Sequence, residues 1–122
     1  MSAQSAVQVI GNTAVAAVVA AMCSAVPANA NTPLNAATVL KEMPPNELVV
    51  YVAGIVEGLA YARFRYDTIA AGQKVETGMN CIRNWYHGNP QVILTIEQAF
   101  RKYGEHSPWV VVAAMVKQEC GE

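Results

Sequence analysis

The chain has 122 residues, 53% of them apolar, with 8 Lys plus Arg against 9 Asp plus Glu and a formal net charge of -1. That length suits one domain with ample apolar material for a core, and the near-neutral balance offers no basic field for nucleic acid. Every charged side chain lies at or beyond Lys41, which sets the start of the chain apart chemically from the rest.

Within that uncharged start, residues 13–23 (TAVAAVVAAMC) form an apolar run of signal-peptide h-region length, too short to span a bilayer as a helix. Pro27 breaks the run, and Ala28-Asn29-Ala30 places small residues at the two positions a signal peptidase reads. The expectation is a cleavable leader over 1–30, cut after Ala30, with no stable membrane insertion of the single domain over 31–122 that remains. The stretch MSAQSAVQVIGN ahead of the run has no Lys or Arg, leaving the amino terminus as its positive charge. Ala20, Ala21 and Met22 do not make a lipoprotein pattern before Cys23. The competing expectation is an ordinary N-terminal core helix.

Removal of the leader takes Cys23 with it and leaves Cys81 and Cys120. An even count in a small exported domain predicts one disulfide. The loop it closes, about 40 residues, is worth about 4 kcal/mol on the chain-entropy model.

A short exposed lead-in over 31–35 is followed by a brief helix over 36–43, stopped by Pro44 and Pro45. Asn46 is the expected cap of the longest segment, a helix over 47–69 ending near Gly72. Its apolar residues run nearly all the way round, which marks a helix central to its fold or one lying in a membrane. Glu57 in the middle and Arg63, Arg65 and Asp67 at the end favour the first. Gly54, Gly58 and Ala62 fall four apart, a smooth strip along which another helix can approach closely. Two glycines on one helical face cost about 1 kcal/mol each relative to alanine, so the strip predicts packing that offsets the loss. An intramolecular crossing is the expectation and a homodimer seam the sharper alternative.

After a polar linker over 73–77, a short helix carries Cys81 through Tyr86 and stops at Gly88. Asn89-Pro90 signals a new start, a capping side chain with proline at the first helical position. Val92, Ile93, Ile96, Ala99, Phe100 and Tyr103 then repeat at helical spacing, with Gln91, Glu97, Gln98, Arg101 and Lys102 opposite. Ser107-Pro108 repeats the start device for a last helix over 109–119. There Trp109, Val112, Ala113, Val116 and Cys120 share one face, which points Cys120 into the core. The fold expected is an all-α bundle of four to five helices with one disulfide.

Candidate chemistry is sparse. Cys81 would need a base, His87 or His106, to act as a nucleophile, and a disulfide to Cys120 is the preferred reading. Two histidines and two cysteines fit a metal-ligand inventory, but no C-x-x-C or H-x-x-x-H spacing occurs, and no metal or other cofactor is expected. Phosphate-cradling glycine loops and a G-x-S-x-G elbow are missing too, so no enzyme is expected. Glu57 is the only ionisable side chain other than tyrosine between Leu48 and Ala62, placed either at the rim or buried with a partner such as Tyr51, Tyr61 or Tyr66. Trp85, Tyr86 and His87 cannot all face the core from one short helix, so at least one ring is expected outside as a protein contact. Glu105 and His106, before the last helix, form a second candidate patch.

The ordered features are an export signal, the helix YVAGIVEGL, a middle cysteine, an amphipathic helix, a proline turn, an alanine-rich last helix and a closing cysteine. This pattern resembles the Rap/Tai immunity family, small exported helical proteins that neutralise peptidoglycan-cleaving amidase effectors of type VI secretion. The resemblance covers about residues 48–120. Tyr51 and Gly54 match its aromatic-x-x-glycine helix, Cys81 its middle cysteine, Ala113 its final-helix alanine and Cys120 its closing cysteine. Leu48 to Val50 lack the further cysteine, and Ile82 to Asn84 the proline, that many members carry. The resemblance implies a periplasmic protein-binding module with an amidase effector as partner; the alternative is a periplasmic stress or chaperone-like protein without one.

Overall fold

The structure is a computed structural model and describes residues 34–122. The expected leader, its cleavage site after Ala30 and Cys23 lie outside the described residues. Five helices follow in order: α1 (Ala36–Glu42), α2 (Pro45–Ala71), α3 (Thr77–His87), α4 (Val92–Lys102) and α5 (Pro108–Cys120). Among the described residues there is no strand, and the all-α expectation holds. Cys81 in α3 and Cys120 at the end of α5 are disulfide-bonded, with Cα atoms 5.9 Å apart.

Local chemistry sets the boundaries. The Asn35 side chain accepts from the Thr38 backbone N–H at 2.8 Å and caps α1. The Ala36 and Ala37 N–H groups, which have no partner inside the helix, donate to the His106 and Gly104 carbonyls at 2.9 and 3.0 Å, fastening α1 to the α4–α5 turn. Asn46 does not cap α2. The helix begins two residues earlier than expected, with Pro45 in the first turn after an extended Pro44, because the fixed φ of proline suits that position and its missing N–H needs no partner there. Gly72 ends α2 in the left-handed region at φ 67°, where a side chain would be strained. The third helix starts at Thr77, inside the expected linker. Asn89 does not cap α4 and Pro90 is not its first residue: the Asn89 side chain accepts from Gln91 N–H at 3.0 Å within a turn, and regular helix begins at Val92 after Gln91, because the bond closes a tight turn ahead of the helix rather than its first turn.

The core is built from one stripe of each helix: Ala36 and Val39; Leu48, Val52, Val56 and Ala60; Ile82 and Tyr86; Val92, Ile96 and Phe100; Val111, Val112 and Val116. It contains no polar or charged residue besides Tyr86. Phe100 is its largest fully buried side chain, a burial worth about 1.5–3 kcal/mol. The most extensive packing joins α2 to α3, with α1 against α4 and α3 against α5 closing the bundle.

Three placements differ from expectation. Trp109 is not in the core but 59% exposed, because Pro108 and Val111 take the inward positions at the start of α5. Tyr103, counted with the apolar stripe of α4, is likewise exposed. The long helix α2 is covered on one side only. Gly54, Gly58 and Ala62 lie on its bare side, and a Cβ added at either glycine would meet no atom within 4 Å. The strip therefore makes no helix crossing among the described residues. The close approach of α2 and α3 is made by Gly78 instead, where an added Cβ would fall 2.7 Å from Arg63 Cγ and Asp67 Oδ2.

Candidate functional site

On the α2–α3 face, side chains from two rigid helices meet at one carboxylate. Arg83 and His87 are four apart in α3, which puts them one turn above each other on the same side, aimed at Glu57 of α2. Arg83 donates to Glu57 Oε2 from Nε at 3.0 Å and from Nη2 at 2.8 Å. His87 Nε2 lies 3.1 Å from Glu57 Oε1. An ionised carboxylate can only accept, so this nitrogen carries the proton. Hydrogen bonding from Arg83 first and from His87 second holds the Glu57 carboxyl below its ordinary pKa. Glu57 is thus charged at neutral pH.

The cluster is not a buried acid site. The Glu57 side chain is 42% exposed and that of His87 54%. None of Tyr51, Tyr61 or Tyr66 hydrogen-bonds Glu57; its partners come from α3, which lies 26 and 30 residues further along the chain. Arg83 is the residue the sequence reading missed. The available signal was the four-residue spacing of two basic side chains on a short helix beside a lone acid.

The Trp85-Tyr86-His87 triplet divides. His87 faces solvent, Trp85 is half-buried against the core, and Tyr86 is buried. Tyr86 is therefore withdrawn as a contact residue: its hydroxyl donates to the Val49 carbonyl at 2.8 Å, and its burial raises the phenol above its ordinary pKa. It serves as a strut, its ring meeting that of His87 edge to face at 5.1 Å between centroids and so backing the exposed imidazole. Cys81 anchors the same helix to α5, and near that bond Arg63, held by Asp67 at 2.8 Å, donates to the Gly121 carbonyl at 3.0 Å.

Glu105 and His106 are exposed in the turn before α5, as expected of a polar turn. The His106 ring meets Tyr103 edge to face at 6.2 Å, and it borders a cavity of about 610 Å³ between α4 and α5 lined by Ala99, Tyr103, Val111, Met115 and Gln118. No hydrogen bond or ion pair joins this patch to the Glu57 cluster. Among the described residues no group of three or more His, Cys, Asp or Glu is arranged to hold a metal ion, and no helix is long and apolar enough to cross a membrane.

Compared with models of protein families, with curated proteins and with solved structures, the chain finds no match in any of the three.

Proposed function

We propose that this chain is an exported protein-binding module of the periplasm that recognises one protein partner through the α2–α3 face around Glu57, Arg83, His87 and Trp85. The observation that carries the reading is the arrangement of that face: an exposed, fully hydrogen-bonded Glu-Arg-His cluster on two helices, one of them anchored by a disulfide. Binding through groups already held in place loses little side-chain entropy, and arginine and tryptophan are frequent anchors of protein interfaces. Carboxylate, guanidinium and imidazole side by side offer a partner both signs of charge, which favours selectivity over bulk affinity.

The disulfide fits an oxidising compartment. The order of helix, middle cysteine, amphipathic helix and closing cysteine supports the narrower proposal that the module is an immunity protein covering the active site of a peptidoglycan-cleaving amidase effector. A gene for a small exported hydrolase beside this one is the first observation to seek. The decisive experiment is capture of partners from periplasmic extract by the wild-type protein and by Arg83→Glu and Trp85→Ala variants. One stoichiometric partner, lost in both variants while their circular dichroism is unchanged, supports the proposal. Retention of that partner by both variants contradicts it.

A second reading rests on the uncovered apolar side of α2, where Val50 is 72% exposed. A stress or chaperone-like protein would use that surface to hold unfolded clients. The same capture then yields many substoichiometric proteins, bound more strongly at low pH and indifferent to Arg83.

A further inference from the structure

The bare side of α2 is self-complementary. Glu47 and Arg65 are 18 residues apart, five full turns at 3.6 residues each, so they lie on one line along the helix about 27 Å apart. Both are exposed, and neither has an ion-pair partner among the described residues. Midway between them, at the level of Val56 but on the opposite side of the helix, Gly54 and Gly58 leave the backbone open.

Turning a second α2 antiparallel about that midpoint brings each position level with the one whose number completes 112, and on the centre line of the strip the two face each other. Glu47 then faces Arg65 of the other copy and Arg65 its Glu47, so both free charges are matched twice over. Gly54 meets Gly58, which lets the backbones approach closely. Along the flanks of the seam Val50, 72% exposed, comes beside Tyr61, itself 60% exposed, and Tyr51 beside the small Ala62. Large side chains thus oppose small ones or aromatic ones, and no unlike pairing of charge with apolar surface is forced. A parallel pair about the same strip would set Glu47 on Glu47 and Arg65 on Arg65, which is repulsive.

We infer that the protein forms a two-fold homodimer in which two α2 helices pack antiparallel across Gly54 and Gly58, with Glu47–Arg65 ion pairs at both ends. This goes beyond the partner-binding proposal and stands independently of it, since it uses none of the α2–α3 cluster.

Sedimentation velocity of the purified protein over a range of concentrations tests it, with a Gly54→Leu/Gly58→Leu double variant and with charge variants. Open space at both glycines lets leucine in without strain, and leucine favours helix over glycine, so the double variant should melt no lower than wild type yet sediment as a monomer. Glu47→Arg and Arg65→Glu each turn two attractions into repulsions and should weaken dimerisation about tenfold. Combined in one chain they restore opposite charges across the seam and should recover wild-type affinity. A wild-type protein that is monomeric throughout, a leucine variant that remains dimeric, or a combined variant no tighter than the single ones overturns the inference. Capture of a different protein lost on Gly58→Leu, with no self-association, assigns the strip to another occupant and overturns it as well.

Discussion

Reducing the Cys81–Cys120 bond should destabilise the protein without dissolving its helices. The bond joins residues 39 apart, and the chain-entropy relation for such a loop gives about 13 cal/mol/K, or about 4 kcal/mol at 25 °C. A domain of this size has a total stability of about 5–13 kcal/mol, so the bond supplies upwards of about 30% of it. The core stripes of all five helices remain when it opens, and the Arg63 hydrogen bond to Gly121 still ties the end of α5 to α2, so the reduced protein should stay folded in the absence of denaturant. Urea unfolding followed by far-ultraviolet circular dichroism, with and without reductant, measures the difference. With a slope of about 1–2 kcal/mol/M, the midpoint should fall by about 2–4 M. A Cys81→Ala/Cys120→Ala variant should unfold at the reduced midpoint in either condition. A wild-type midpoint unmoved by reductant, with both thiols shown free by labelling, would refute the reasoning.

Replacing Phe100 by alanine empties the largest fully buried site and should cost about 3–5 kcal/mol, read as a lowered melting temperature. Gly78→Val places a side chain where Arg63 and Asp67 already stand and should destabilise by about 1–3 kcal/mol, whereas Gly58→Ala, in open space, should stabilise slightly; equal effects on urea midpoints would contradict the assignment of the helix crossing to Gly78. The Glu57 carboxyl is held below its ordinary pKa in the folded state, so its contribution is present above the unfolded carboxylate range and disappears as pH falls through the lowered folded value. Comparing urea midpoints of wild type and Glu57→Gln from neutral to acid pH should show a gap that narrows on acidification; a gap that widens would contradict the hydrogen-bond geometry.

The helices of this chain were legible because their start and stop signals are local. Proline pairs, Asn89-Pro90, Ser107-Pro108 and Gly72 each act within a few residues, and α4, apolar on one side and charged on the other, announced its inward face as well. Where a helix is apolar all round, as α2 and α5 are, composition leaves the phase undetermined. The inward face of α2 turned out to be Val52, Val56 and Ala60, and the glycine strip turned out to be outside. Trp109 was misplaced for the same reason: helical spacing set it on one face with Val112, Ala113, Val116 and Cys120, but the first turn of α5 points Pro108 and Val111 inward. The pairing of Cys81 with Cys120 was readable from the count of cysteines once the leader was set aside. The Glu57 cluster was not, because its three members come from two helices whose packing is a long-range outcome, and the tyrosines nearer in sequence point elsewhere. Splitting the aromatic triplet likewise required knowing that Tyr86 finds a backbone carbonyl of α2 at the right distance.

Intact mass spectrometry of the protein taken from its own cells, after free thiols are blocked by an alkylating reagent without reduction, reads export and the Cys81–Cys120 bond in one spectrum. The expected species is a chain beginning at Asn31, free of label and lighter by a pair of hydrogens. A chain that begins at Met1 or Ser2 and carries label on both Cys81 and Cys120 would contradict export and the bond alike.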